Sequence, residues 1–138
     1  MLLRRLNRPS VLGTDLGLLA IRVWFGFVLA FAHGLGKVQN LEGFVDTVQR
    51  REVPLPWLLG PAAALSEFLG GLLMGLGLAT RLAALSVLVT MLVAGLFIHA
   101  GDPFGKKELA LSYAVAALAV LLAGPGRFSV DARWMGRR

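Results

Sequence analysis

Arg22 and Glu67 each sit inside a long apolar stretch, and neither charge can be left facing hydrocarbon. There are four such stretches: Leu16–Leu35, Trp57–Ala79, Leu82–His99 and Leu109–Ala123. A helical membrane span takes about 20 residues, with a working range of about 17–25. The first two stretches satisfy this and the third is adequate. The fourth reaches it by drawing Glu108 and Gly124 into its ends. The expected spans are therefore residues 15–36, 57–79, 82–100 and 108–124. Only a tight turn around Thr80-Arg81 separates the second span from the third, so those two are antiparallel neighbours. The reading is all-α: one transmembrane domain over residues 1–138, an integral membrane four-helix bundle.

Composition agrees. The chain is 57% hydrophobic and 16% charged, against about 25% charged in a soluble domain. It has no cysteine, which excludes disulfides, thiolate nucleophiles and thiolate-held metal clusters. The net charge of +6 lies between and beyond the apolar stretches. That placement suits anionic lipid headgroups as partners, and no nucleic acid. Arg4, Arg5 and Arg8 precede Ala30-Phe31-Ala32, which mimics a signal-peptide cleavage site. The intervening stretch is too long for a signal core of about 7–15 residues, and Arg22 interrupts it, so it reads as a retained helix.

Between the first two spans, Leu41, Phe44, Val45 and Val48 repeat at helical spacing among Glu42, Asp46, Gln49, Arg50 and Arg51. This is a short interfacial helix between helices 1 and 2, stopped by Pro54 and Pro56, with Trp57 at headgroup depth. A plain solvated loop is the alternative. Lys and Arg counts give the orientation. Eight of these residues (Arg4, Arg5, Arg8, Arg81, Arg127, Arg133, Arg137, Arg138) flank one side, and five (Lys37, Arg50, Arg51, Lys106, Lys107) flank the other. The excess places the N- and C-termini in the cytoplasm of a bacterial inner (plasma) membrane. The tail after Gly124-Pro125-Gly126 is expected on that cytoplasmic face.

Arg22 costs about 2.5–3.5 kcal/mol at mid-bilayer, and each Leu, Ile, Phe or Val returns about 0.3–0.6 kcal/mol. The eleven such residues in 16–35 offset it narrowly. At ideal helical spacing, Arg22, Gly26, Leu29, His33 and Lys37 fall on one stripe. Gly26, Ala30 and Gly34, small at every fourth position, would let a neighbouring helix approach closely, and Gly71 and Gly75 form a comparable small pair on the face of Glu67. Antiparallel alignment of the spans puts Glu67 level with Gly26, within reach of the guanidinium, so a buried Arg22–Glu67 ion pair is expected. It either serves function or only fixes helix register.

A second polar cluster is expected at the non-cytoplasmic end: His33, Lys37, His99, Glu108 and Ser112. It could relay protons or bind a ligand headgroup; the plainer alternative is interfacial snorkelling. Two histidines near one edge, without paired spacing, do not favour haem or a metal. No serine triad or phosphate-binding glycine loop is present.

The order of these pieces resembles the DoxX family of small four-helix bacterial membrane proteins. The resemblance rests on Arg22, His33-Gly34-Leu35-Gly36-Lys37, Glu67 with Gly70-Gly71, and Leu76-Gly77-Leu78-Ala79-Thr80-Arg81. Glu108-Leu109-Ala110 and Gly124-Pro125-Gly126-Arg127-Phe128-Ser129-Val130-Asp131 complete it. The family takes its name from a subunit of a thiosulfate:quinone oxidoreductase. The resemblance therefore implies a membrane subunit of a redox complex, with a quinone as cofactor and a soluble or membrane oxidoreductase as partner. With no cysteine, thiol chemistry would have to come from the partner or substrate. A non-enzymatic scaffold, assembly factor or small-molecule transporter is the competing reading. Catalytic residues and oligomeric state, a homo-oligomer included, stay open.

Overall fold

The computed structural model describes residues 10–136, and they are helical with no strand. Arg4, Arg5, Arg8, Arg137 and Arg138, used above for orientation, lie outside the described residues. Helix α1 runs Val11–Gln39, α2 Leu41–Arg50, α3 Pro56–Leu76, α4 Thr80–Ile98, α5 Phe104–Ala123 and α6 Val130–Met135. Three helices, α1, α3 and α4, are long and apolar enough to cross a membrane, with mean hydropathies of 1.8, 1.4 and 2.2. Helix α5 has 20 residues, but Lys106, Lys107 and Glu108 occupy its start and shorten its uncharged part to Leu109–Ala123.

Local chemistry sets the boundaries. Ser10 caps α1 by accepting the Gly13 amide at 3.1 Å, and Asn40 caps α2 by accepting that of Gly43. Pro56 opens α3 at a position where its missing N–H costs nothing. Gly77 ends α3 at φ 73°, and the Gly77 and Leu78 amides both donate to the Leu73 carbonyl. That closure stops α3 before Ala79, the end expected from hydropathy. Helix α1 overruns its expected limits at both ends.

The faces follow the small residues. A Cβ on Gly26 would lie 2.7 Å from the Gly71 carbonyl oxygen and the Gly75 nitrogen, so α1 and α3 touch backbone to backbone. Ala83, Ala84 and Val87 of α4 and Ala114, Ala117 and Val120 of α5 are buried in the same core, joined by Leu29, Met74 and Met91. The outside is apolar as well: Trp24, Phe97, Val115 and Leu122 are all at least two-thirds exposed. A core of small residues inside a coat of large apolar ones is the pattern of a helical protein in lipid.

Each long apolar helix contains one π-helical turn: Leu29–Gly34 in α1, Ser66–Gly70 in α3 and Ala94–Ile98 in α4. Such turns often mark functional positions. Here they lie at or beside His33, Glu67 and His99.

Candidate functional site

The expected Arg22–Glu67 ion pair does not form. A Cβ on Gly34 would collide with the backbone of Glu67 and Phe68, so Glu67 is level with Gly34 and not with Gly26. Eight residues of α1 separate these levels, or about 12 Å at 1.5 Å per residue. A guanidinium cannot bridge that gap. The two charges therefore belong to separate centres at opposite ends of the α1–α3 contact.

The Arg22 centre ties the chain's C-terminal segment to the bundle. Its side chain is 1% exposed. Nη1 donates to the Pro125 carbonyl, and Nη2 donates to the Phe128 carbonyl at 2.7 Å. Beside it, Asp131 accepts the amides of Ala79 and Thr80, each at 2.9 Å, and the Thr80 hydroxyl at 2.6 Å. Asp131 thereby caps α4 from a segment about fifty residues away. Burial pushes its carboxyl up, but the Thr80 and Ala79 hydrogen bonds and the nearby Arg22 charge outweigh that and hold it below the usual carboxylate range. The Asp131 amide donates to the Gly77 carbonyl at 2.9 Å, and Asp15 accepts the Arg127 amide at 3.1 Å. Gly77 is required twice, by its positive φ and because a Cβ would strike the Arg22 guanidinium. A cleft beside this knot, lined by Arg81, Asp131 and Trp134, has about 610 Å³.

The Glu67 centre faces a different cavity. Lys37 Nζ lies 2.6 Å from both carboxylate oxygens of Glu67. The Glu67 side chain is 4% exposed and that of Lys37 is 30%. The Lys37 ammonium also sits 4.8 Å from the centre of the Phe44 ring, which joins α2 to the site by a cation–π contact. Next to Glu67, the Ser66 hydroxyl oxygen is buried and has no hydrogen-bond partner. These groups line a groove of about 610 Å³ between α2, α3 and α4. Leu59, Leu85, Val89 and Val93 form its apolar walls, while Arg51 and His99 stand with Lys37 and Glu67 as its charged or titratable lining. A volume of this size, mostly apolar with a few convergent polar groups, is that of a small-molecule site.

The five-residue cluster expected from sequence is dispersed. Lys37 and His99 line the groove. His33 turns to α5, where its ring stands edge-on to Tyr113 at 5.7 Å. Glu108 is exposed, and Ser112 bonds back to the Glu108 carbonyl at 2.7 Å within α5. For His33 and Lys37 the reason is the π turn at Leu29–Gly34. It adds a residue to the turn and rotates everything after it by roughly 100° against an ideal helix. Sequence reasoning missed Asp102, whose Oδ2 lies 2.6 Å from His99 Nδ1, although its i+3 spacing in a Gly-containing turn was visible. It also missed Ser66 and Tyr113. Among the described residues, no group of three or more His, Asp or Glu is placed to hold a metal ion.

The DoxX family model matches residues 17–100, which carry Arg22, His33, Lys37, Glu67 and His99. The chain is 29% identical over 118 residues to "Putative oxidoreductase CatD" of Bacillus subtilis (strain 168), covering 85% of this chain and 86% of that protein. No solved structure matches it. The helical architecture and the matched length agree: this chain belongs to the DoxX family.

Proposed function

We propose that the chain is an integral membrane subunit of a redox complex, and that the groove between α2, α3 and α4 takes an amphipathic molecule with a carbonyl headgroup, of the quinone type. The observation that carries this is the Lys37–Glu67 pair at the head of an apolar groove. The ammonium and the unpartnered Ser66 hydroxyl can donate to a carbonyl oxygen, and the apolar walls suit an isoprenoid tail. The family and the oxidoreductase-named relative support the redox reading. Electrons would come from a partner enzyme, since the groove residues themselves are not redox-active.

In this reading α5 is the fourth span and α2 lies in the headgroup region, so the fold is a four-helix transmembrane bundle. Both termini are cytoplasmic, because Arg81, Arg127 and Arg133 gather at the end opposite Lys37, Arg51 and Lys106. A reporter fused after Arg138 should then score cytoplasmic. A score on the far side of the membrane inverts the topology and turns the groove's mouth to the cytoplasm.

Binding tests the occupant. The purified full-length protein should bind a short-chain ubiquinone at one site per chain. Val89→Trp, which fills the groove without touching the ion pair, should weaken binding by at least about tenfold while leaving the melting temperature close to the parent's. Quinone binding that Val89→Trp leaves intact places the ligand elsewhere, and no binding at all ends the reading.

A further inference from the structure

The lining of the groove holds a second polar unit. His99 follows the π turn Ala94–Ile98, and its amide donates to the Ala94 carbonyl at 3.0 Å. Its Nδ1 lies 2.6 Å from Asp102 Oδ2. The His99 hydrogen bond holds the Asp102 carboxyl below the usual carboxylate range; burial opposes this, and the charges of Lys106, Arg51 and His99 reinforce it. An ionised carboxylate can only accept, so Nδ1 carries a proton at every pH where the protein is folded and Asp102 ionised. Nε2 makes no hydrogen bond among the described residues, and His99 lines the groove. The nitrogen left for an occupant is therefore the one whose character changes with pH. Neutral, it is an acceptor; protonated, it is a donor.

We propose that His99, oriented by Asp102, is the residue that distinguishes the reduced from the oxidised headgroup in this groove. The neutral imidazole accepts a hydrogen bond from a quinol hydroxyl, and the imidazolium donates one to a quinone carbonyl. This rests on the amphipathic occupant proposed above and adds to it a specificity at one atom. The other charged groups around His99 are Asp102, Arg51 from the end of α2, and Lys106 and Lys107 at the start of α5, Lys107 donating to the Ala100 carbonyl at 2.6 Å, with Lys37 and Glu67 lining the same groove. Of these, Lys37 and Glu67 are paired with each other at 2.6 Å.

Equilibrium binding of a short-chain ubiquinol and the matching ubiquinone, measured anaerobically on the full chain in phosphatidylcholine nanodiscs, tests this. Between about pH 5.5 and about pH 8 the preference for quinol over quinone should rise about five- to tenfold, one hydrogen bond gained by one form and lost by the other. His99→Gln should flatten that slope, because an amide both donates and accepts. Asp102→Asn should move the crossover to lower pH, because the imidazolium loses its counter-charge. A purely structural His99–Asp102 contact would shift neither. If the parent binds both forms with no pH-dependent preference, or if His99→Gln keeps the slope, the assignment fails while the groove reading stands. If the parent binds neither form, both fail.

Discussion

Arg22→Leu should release the C-terminal segment from the bundle. The loss is expected to be about 2–5 kcal/mol in stability, because the Pro125 and Phe128 carbonyls lose their donors in a partly buried site and the guanidinium leaves a void. Arg22→Lys should recover only part of this. A single ammonium keeps the charge but lacks the planar fork that reaches two carbonyls at once. Thermal unfolding reads the loss. Limited trypsin digestion reads its location, since Arg127 and Arg133 lie in the segment that Arg22 holds and should be cut faster in the variant. A leucine variant that melts and is cleaved like the parent would mean the buried guanidinium holds nothing in place.

This role for Arg22 also shows which physics the sequence exposes. That Arg22 and Glu67 turn inward is readable from one-body energetics, since neither can face lipid. The choice of partner is not. It depends on helix register to within one turn, and apolar stretches whose ends differ from those of the helices give that register only coarsely. Helix α1 extends from Val11 to Gln39, and α3 stops at Leu76 because Gly77 takes a left-handed φ. Close backbone contact sets the register instead, Gly26 against Gly71 and Gly75 and Gly34 against Glu67 and Phe68, and it brings Lys37 to Glu67. The small faces survived the error because Gly26, Ala30 and Gly34 repeat every fourth residue against Gly71 and Gly75, so a slip of two turns still sets glycine near glycine.

The π turns are the second source of illegibility. Periodicity arguments assume a constant rotation per residue, and no residue type in Leu29–Gly34, Ser66–Gly70 or Ala94–Ile98 announces the extra one. His33 and Lys37, one turn apart on an ideal helix, consequently part company, one to Tyr113 and one to Glu67. Asp131 on the amides of Ala79 and Thr80 is beyond local reasoning for another reason: its partners lie about fifty residues away, and only the assembled bundle brings them together. The short amphipathic helix α2 was legible because both its apolar stripe and its proline stop are local.

The Lys37–Glu67 pair should respond asymmetrically to loss of either partner. Glu67 is almost fully enclosed, so Lys37→Met strands a carboxylate with no counter-charge and should cost about 3–5 kcal/mol. Lys37 is 30% exposed, and its flexible stem can carry the ammonium toward the headgroups once the carboxylate is gone. Glu67→Gln should therefore cost only about 1–2 kcal/mol, the value of a charged hydrogen bond weakened rather than a charge stranded. The double variant, Lys37→Met with Glu67→Gln, should be more stable than Lys37→Met alone, since removing the second charge relieves the burial penalty that the first substitution created. Melting curves of the three variants under one condition decide the matter. Additive losses, or a heavier loss for Glu67→Gln than for Lys37→Met, would mean that the two side chains do not depend on each other at the head of the groove.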